Sequence, residues 1–181
     1  MTRLLTIFIF GFIPLANAQF ENCPNLEGTY QEFENNLLSI HQYLEGDFLV
    51  YEATFSQGGK AYIRAGDQTV MGDSNTKTYC EGSKVTIHYH SAGVIDWSKK
   101  NSVYPSDVMN EAKIYKMLGE ARTQKQNLRF NHEVYDWTYL KGVDLVMERR
   151  SDLWYQNLAT SKVYSYTDRT YQLLKAVNRS N

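Results

Sequence analysis

Leu37-Leu38-Ser39-Ile40-His41-Gln42-Tyr43-Leu44-Glu45-Gly46-Asp47-Phe48-Leu49-Val50-Tyr51-Glu52-Ala53-Thr54-Phe55 consists of two alternating runs around a break. In the first, Leu38, Ile40, Gln42 and Leu44 share one side, and Leu37, Ser39, His41 and Tyr43 the other. In the second, Leu49, Tyr51 and Ala53 alternate with Val50, Glu52 and Thr54. A period of two is strand geometry, because successive side chains leave opposite faces of an extended chain. Glu45-Gly46-Asp47 interrupts it with turn residues, so the stretch reads as an antiparallel hairpin.

The same pattern repeats outward. Gln57-Gly58-Gly59-Lys60 is a hairpin turn signal before Ala61–Arg64, and Ala65-Gly66-Asp67 punctuates again before Gln68–Met71. Gly72-Asp73-Ser74-Asn75 and Glu81-Gly82-Ser83-Lys84 flank Thr76–Cys80, and Val85–His90 follows. Further strand patterns lie at Leu128–Tyr139, Val143–Arg149, Leu153–Leu158, Val163–Tyr166 and Tyr171–Val177. Turn signals every ~8–14 residues, with β-branched and aromatic enrichment, predict an all-β antiparallel meander or barrel. The exception is one short helix near 106–118, with Ser106 as N-cap after Pro105 and Gly119 as its stop. A strand with Lys113, Tyr115 and Met117 on one side is the competing reading there.

Composition narrows the class. The 181 residues carry a formal net charge of −1, 22% charged and 14% aromatic residues, and only three prolines. The balanced charge gives no electrostatic basis for nucleic-acid binding. One domain suffices for this length, and no internal repeat, low-complexity tract or linker divides it. Tyrosine is in excess, fourteen against eight Phe and three Trp. Its apolar ring and polar tip suit half-buried sheet positions.

Residues 1–18 read as a cleaved secretory signal. Arg3 precedes an apolar run from Leu4 to Ile13, Pro14 follows, and Ala16-Asn17-Ala18 has the small-x-small form of a cleavage site. That run is too short to cross ~30 Å of hydrocarbon as a helix, and no later segment approaches a membrane span. The expected product is a single domain over 19–181, secreted or periplasmic. Cys23 and Cys80 are the only cysteines. An oxidising compartment makes one disulfide the economical reading, with two separate buried thiols as the alternative. No CxxC spacing points to redox chemistry.

Signals for catalysis are absent. His88-Tyr89-His90 places two imidazoles on one strand face, and His41 or His132 would have to supply a third ligand for a zinc hydrolase. No HExxH motif or ligand spacing supports this, and the alternative has both histidines on the solvent face with Tyr89 inward. Glu32 with Glu34, and Asp144 with Glu148, read as ordinary strand positions. There is no GxSxG elbow, and Gly58-Gly59-Lys60 lacks a phosphate-loop frame. Lys99-Lys100 and Arg149-Arg150 read as solvated charge pairs. No cofactor is implied. The aromatic residues Trp97, Trp137, Trp154, Tyr135, Tyr139, Tyr155, Tyr164 and Tyr166 concentrate in the second half, either as cross-strand packing or as walls of a small-ligand pocket.

Cys23-Pro24-Asn25-Leu26-Glu27-Gly28-Thr29-Tyr30 resembles the start of small exported bacterial β-proteins of unassigned function. Tyr79-Cys80-Glu81-Gly82-Ser83-Lys84-Val85-Thr86-Ile87 is also similar to them. More distantly, Gly28-Thr29-Tyr30 resembles the element opening the first strand of lipocalin-like barrels, with Tyr30 where those usually carry Trp. The resemblance implies an antiparallel, lipocalin-like or incompletely closed β-barrel, with structural roles for Cys23, Gly28, Tyr30 and Cys80. The expectation is therefore an exported non-enzymatic protein that binds a small apolar or amphipathic ligand. The alternatives are a protein-interaction module and the histidine-dependent metal hydrolase.

Overall fold

The computed structural model describes residues 20, 22–33, 36–71, 74–97 and 112–178. The signal segment and the proposed helix start at Ser106 lie outside them. The strands are β1 (Gly28–Phe33), β2 (Asn36–Glu45), β3 (Phe48–Phe55), β4 (Lys60–Ala65), β5 (Gln68–Met71), β6 (Ser74–Glu81) and β7 (Lys84–Ile95). Helix α1 (Ala112–Thr123) follows, then β8 (Leu128–Lys141), β9 (Asp144–Asn157) and β10 (Val163–Asn178). All strand pairs are antiparallel, in one ten-stranded sheet of order β4-β3-β2-β1-β10-β9-β8-β7-β6-β5. This is the all-β meander expected, with the first and last strands paired.

The hairpin of the opening stretch forms with Ile40 opposite Ala53, Gln42 opposite Tyr51 and Glu45 opposite Phe48. Gly82 and Ser83 both have positive φ, 55° and 64°, in the two-residue turn between β6 and β7. That is the backbone twist tight hairpins prefer, and glycine adopts it without steric cost.

The sheet curls onto one face. Leu49, Tyr51 and Ala65 from β3 and β4 share a buried cluster with Val85, Leu145 and Leu174 from β7, β9 and β10. Strands this far apart in the ladder meet only if the sheet wraps around them. The ladder does not close: β4 and β5 are its edges. Their junction is tied to β6 by Gly66 N–H donating to Thr78 O (2.8 Å) and Thr78 N–H donating to Asp67 O (2.9 Å). Beyond these bonds, the Cys23–Cys80 disulfide, with Cα atoms 5.0 Å apart, joins the segment before β1 to β6. That segment plugs the same end of the curl. Leu26 is buried, and Pro24 and Leu26 carbonyls accept hydrogen bonds from Tyr51 (2.9 Å) and Tyr30 (2.8 Å) hydroxyls.

A second buried cluster occupies the opposite end, where Leu118 and Ala121 of α1 pack on Ile95, Leu128, Phe130, Leu153 and Tyr155. The helix ends later than the sequence indicates, continuing through Gly119 to Thr123 instead of stopping there. A mid-helix glycine costs only about 1 kcal/mol, which packing of the adjacent Leu118 and Ala121 outweighs. The stop is at Lys125, whose φ is 54°. Lys125 N–H donates to Arg122 O (3.1 Å) and Gln126 N–H to Ala121 O (2.8 Å), the paired bonds of a Schellman motif.

Two strand boundaries also differ from expectation. Val143–Arg149 and Leu153–Leu158 belong to one strand, β9, and Val163–Tyr166 and Tyr171–Val177 to another, β10. The polar residues between them are not turns. Thr167, Asp168 and Arg169 stay in unbroken register opposite Asp152, Ser151 and Arg150. Their polarity has another origin, visible in what the two faces carry there.

Candidate binding cavity

Between the two buried clusters the inner face is hollow. A cavity of about 810 Å³ is lined by the inward-facing Ile63, Ile87, Asp136, Thr138, Met147, Arg149, Thr170 and Gln172, and also borders the intervening strand residues Trp137, Glu148, Tyr171 and Leu173, whose positions alternate to the other face. The register explains how these residues meet. Ile87, Asp136, Arg149 and Thr170 form one continuous row across β7, β8, β9 and β10, and Thr138, Met147 and Gln172 form the next. Ile63 comes from β4, across the curl. Alternation along each strand puts all eight side chains on one face.

The chemistry of the lining is mixed. Ile63, Ile87 and Met147 supply apolar wall. Asp136 and Arg149 stand directly opposite on neighbouring strands, with Arg149 Nε 3.6 Å from Asp136 Oδ1. Both remain substantially solvated, and such a pair contributes little to stability. Met147 is 40% exposed despite its inward position, so the cavity is open to solvent. Toward the helix end a polar layer separates the cavity from the apolar core. His132 is buried with Nε2 2.9 Å from Ser151 Oγ, and its ring meets Tyr89 edge-on.

The outer face carries a different array. His88 stacks on Tyr135 with ring centroids 4.3 Å apart, and Tyr135 stacks on Trp137 at 5.5 Å. Lys84 Nζ lies 4.3 Å from the Tyr139 ring centroid and 5.9 Å from that of Trp137. Burial pulls the His88 imidazole below its ordinary value, against the opposing pull of Glu133. Burial also raises Tyr135 and Tyr139, reinforced by their bonds to Glu133 and Glu148.

The four histidines do not converge. His88 and His90 share the outer face of β7, as alternation requires, and Tyr89 points inward. His90 Nε2 lies 2.8 Å from Asn131 Oδ1. His132 is on the inner face of β8, and His41 on β2 pairs with Glu27 at 3.0 Å. Among the described residues no group of three or more His, Cys, Asp or Glu side chains is placed to hold a metal ion. Asp144 is engaged with Lys175 Nζ (2.7 Å) and Ala176 N–H (3.1 Å), which hold its carboxyl below the usual range.

The aromatic residues singled out in the sequence divide between the faces. Tyr155 is core, with Tyr164, Tyr166 and Trp97 packed against the same cluster, whereas Tyr135, Trp137, Tyr139 and Trp154 stand outside. The cavity's own polar residues carry no motif. Arg149 and Arg150 are both partly solvated, but on opposite faces, because alternation sends Arg149 to the cavity and Arg150 to the outer face. The available signal was polarity at inward strand positions, Asp136 two residues after Val134 and Arg149 two after Met147. It becomes readable only once register identifies the inward parity.

No protein-family model, characterised protein or solved structure matches the chain.

Proposed function

We propose that this protein is exported and binds a small amphipathic ligand in the inner cavity. The observation that carries the reading is the cavity itself. Its volume falls within the ~300–1,000 Å³ of small-molecule sites, which combine mainly apolar walls with a few fixed polar groups. Ile63, Ile87 and Met147 offer the apolar contact. Asp136, Arg149, Thr138, Thr170 and Gln172 offer polar partners for a head group. An exposed methionine on an inward position is apolar surface that a ligand would cover, and its flexible thioether adapts to varied shapes. Export is supported by the N-terminal segment and by a disulfide of the kind that persists in oxidising compartments.

Nile red titration of the processed protein, with competition by single-chain amphiphiles, tests the reading. Saturable binding should appear, and Met147→Glu should weaken it at least tenfold. The melting temperature should stay nearly constant, since Met147 is partly exposed. A folded sample without saturable binding, or a Met147→Glu variant that binds as tightly as the parent, would overturn it. N-terminal sequencing of the exported form should give Gln19 as the first residue.

A further inference from the structure

Strand β10 is paired on both sides for only part of its length. Residues 163–174 hold an unbroken register with β9. On the other side, β1 meets only Lys175, Ala176 and Asn178. Among the described residues no strand runs along that side of residues 163–174, so the sheet has a third, longer edge there.

An open strand edge is a template for another strand, and proteins guard it by short length, lysine, proline or a bulge. The terminal edges are guarded in this way: β4 has six residues, with Lys60 and Arg64 among them, and β5 has four. The β10 edge has none of these guards. Its register is continuous, and Val163-Tyr164-Ser165-Tyr166-Thr167-Asp168-Arg169-Thr170-Tyr171-Gln172-Leu173-Leu174 contains no Lys or Pro and is rich in strand-forming residues. On its outer face Val163 and Tyr171 are 52% and 53% exposed. Such an edge is built to be covered.

We propose that a second copy of this chain covers it, residues 163–171 pairing antiparallel with the same segment about a two-fold axis at Thr167. The sequence of the edge is self-complementary in that register. A two-fold axis perpendicular to the sheet keeps like faces together, so it must pass through a residue, which then meets itself. At Asp168 or Arg169 equal charges would stand directly opposite, which destabilises a ladder. An axis at Tyr166 would leave Tyr171 outside the ladder, and one at Thr170 would leave Val163 outside. At Thr167, threonine meets threonine, a favourable cross-strand pair. Val163 meets Tyr171 at both ends, each covering the other's exposed apolar surface. Arg169 falls opposite the small Ser165, whose neighbour on β9 is Trp154. The guanidinium then lies over Ser165 towards the Trp154 ring, a favourable cation–aromatic contact. It also turns away from Arg150, the like charge opposite Arg169 within one copy.

The experiment is sedimentation of the processed protein over a concentration series, in which a reversible monomer–dimer equilibrium should appear. Thr167→Lys sets two ammonium groups face to face on the axis and should weaken dimerisation at least tenfold. Within one copy that ammonium lies opposite Asp152, so the melting temperature of the dilute protein should hold. Two cysteine variants test the register under mild oxidation. Directly opposed residues have Cα atoms ~4.5–5.5 Å apart, within disulfide range, so Thr167→Cys should cross-link two copies. Ser165→Cys, which would face Arg169 and not itself, should not. A parent that stays monomeric at its highest soluble concentration overturns the proposal, whether the edge is then left for a different protein or covered by the chain's own residues. Slow exchange of the edge-facing β10 amides at every concentration identifies the second case. A Thr167→Lys variant that dimerises as tightly as the parent, or cross-linking at Ser165 as efficient as at Thr167, also overturns it.

Discussion

Replacing both Cys23 and Cys80 by serine should destabilise the protein by about 4 kcal/mol, the chain-entropy value for releasing a loop of this length. The bridge spans a sequence separation of 57 residues, so it removes much of the freedom of the unfolded chain. At roughly 2–4 °C per kcal/mol for a domain of this size, the melting temperature should fall by about 8–16 °C. Reduction of the parent protein should reproduce the effect. Position adds a second, local consequence. The ladder leaves β4 and β5 unpaired with each other, and the bridge fastens the end plug to β6 beside that seam. Without it, the Gly66 and Thr78 amides, which hold the seam through bonds of 2.8 and 2.9 Å, should exchange faster. The β8–β9 ladder should lose protection only in proportion to the global change. Thermal melting and amide hydrogen exchange measure the two consequences. A melting-temperature loss below about 2 °C would refute the loop-entropy reasoning. Retention of parent-level protection at Gly66 and Thr78, relative to the global change, would refute the closure role.

Two other perturbations probe the packing. Burial holds the Tyr155 hydroxyl protonated, pushing its pKa from 10.0 up to about 12, and it raises Tyr51 in the same way. Since the folded value is above the unfolded one, this stabilisation is complete below pH 10 and disappears as pH climbs towards 12. Alkaline unfolding by circular dichroism should therefore accompany a late rise in tyrosinate absorbance, whereas ionisation of all fourteen tyrosines near pH 10 in an intact fold would contradict it. Gly28→Ala should cost about 1–3 kcal/mol in urea unfolding. Gly28 has φ +155°, and a Cβ there would lie 3.1 Å from the Asn178 carbonyl oxygen and 3.2 Å from the Tyr30 hydroxyl. An unchanged urea midpoint would show that β10 gives way at no cost.

Local order was legible in the sequence wherever it depends on near neighbours. The alternation from Leu37 to Phe55, the Gly82-Ser83 turn and the presence of one helix all follow from side-chain period and backbone sterics, which act over a few residues. The two cysteines likewise leave one possible bridge. Features that depend on distant pairing were not legible. Asp168 fell in the gap between two expected strands, and only its pairing with Ser151 shows it to be mid-strand. Gly119 looked like a helix stop until Leu118 and Ala121 found a buried surface to pack against. Asp136 and Arg149, thirteen positions apart with no motif between them, become one feature of a cavity wall through the β8–β9 register. Ile63 joins them because the sheet curls. A strand's sequence sets its two faces, but which face turns inward, and what it meets there, is decided by the ladder and its curvature.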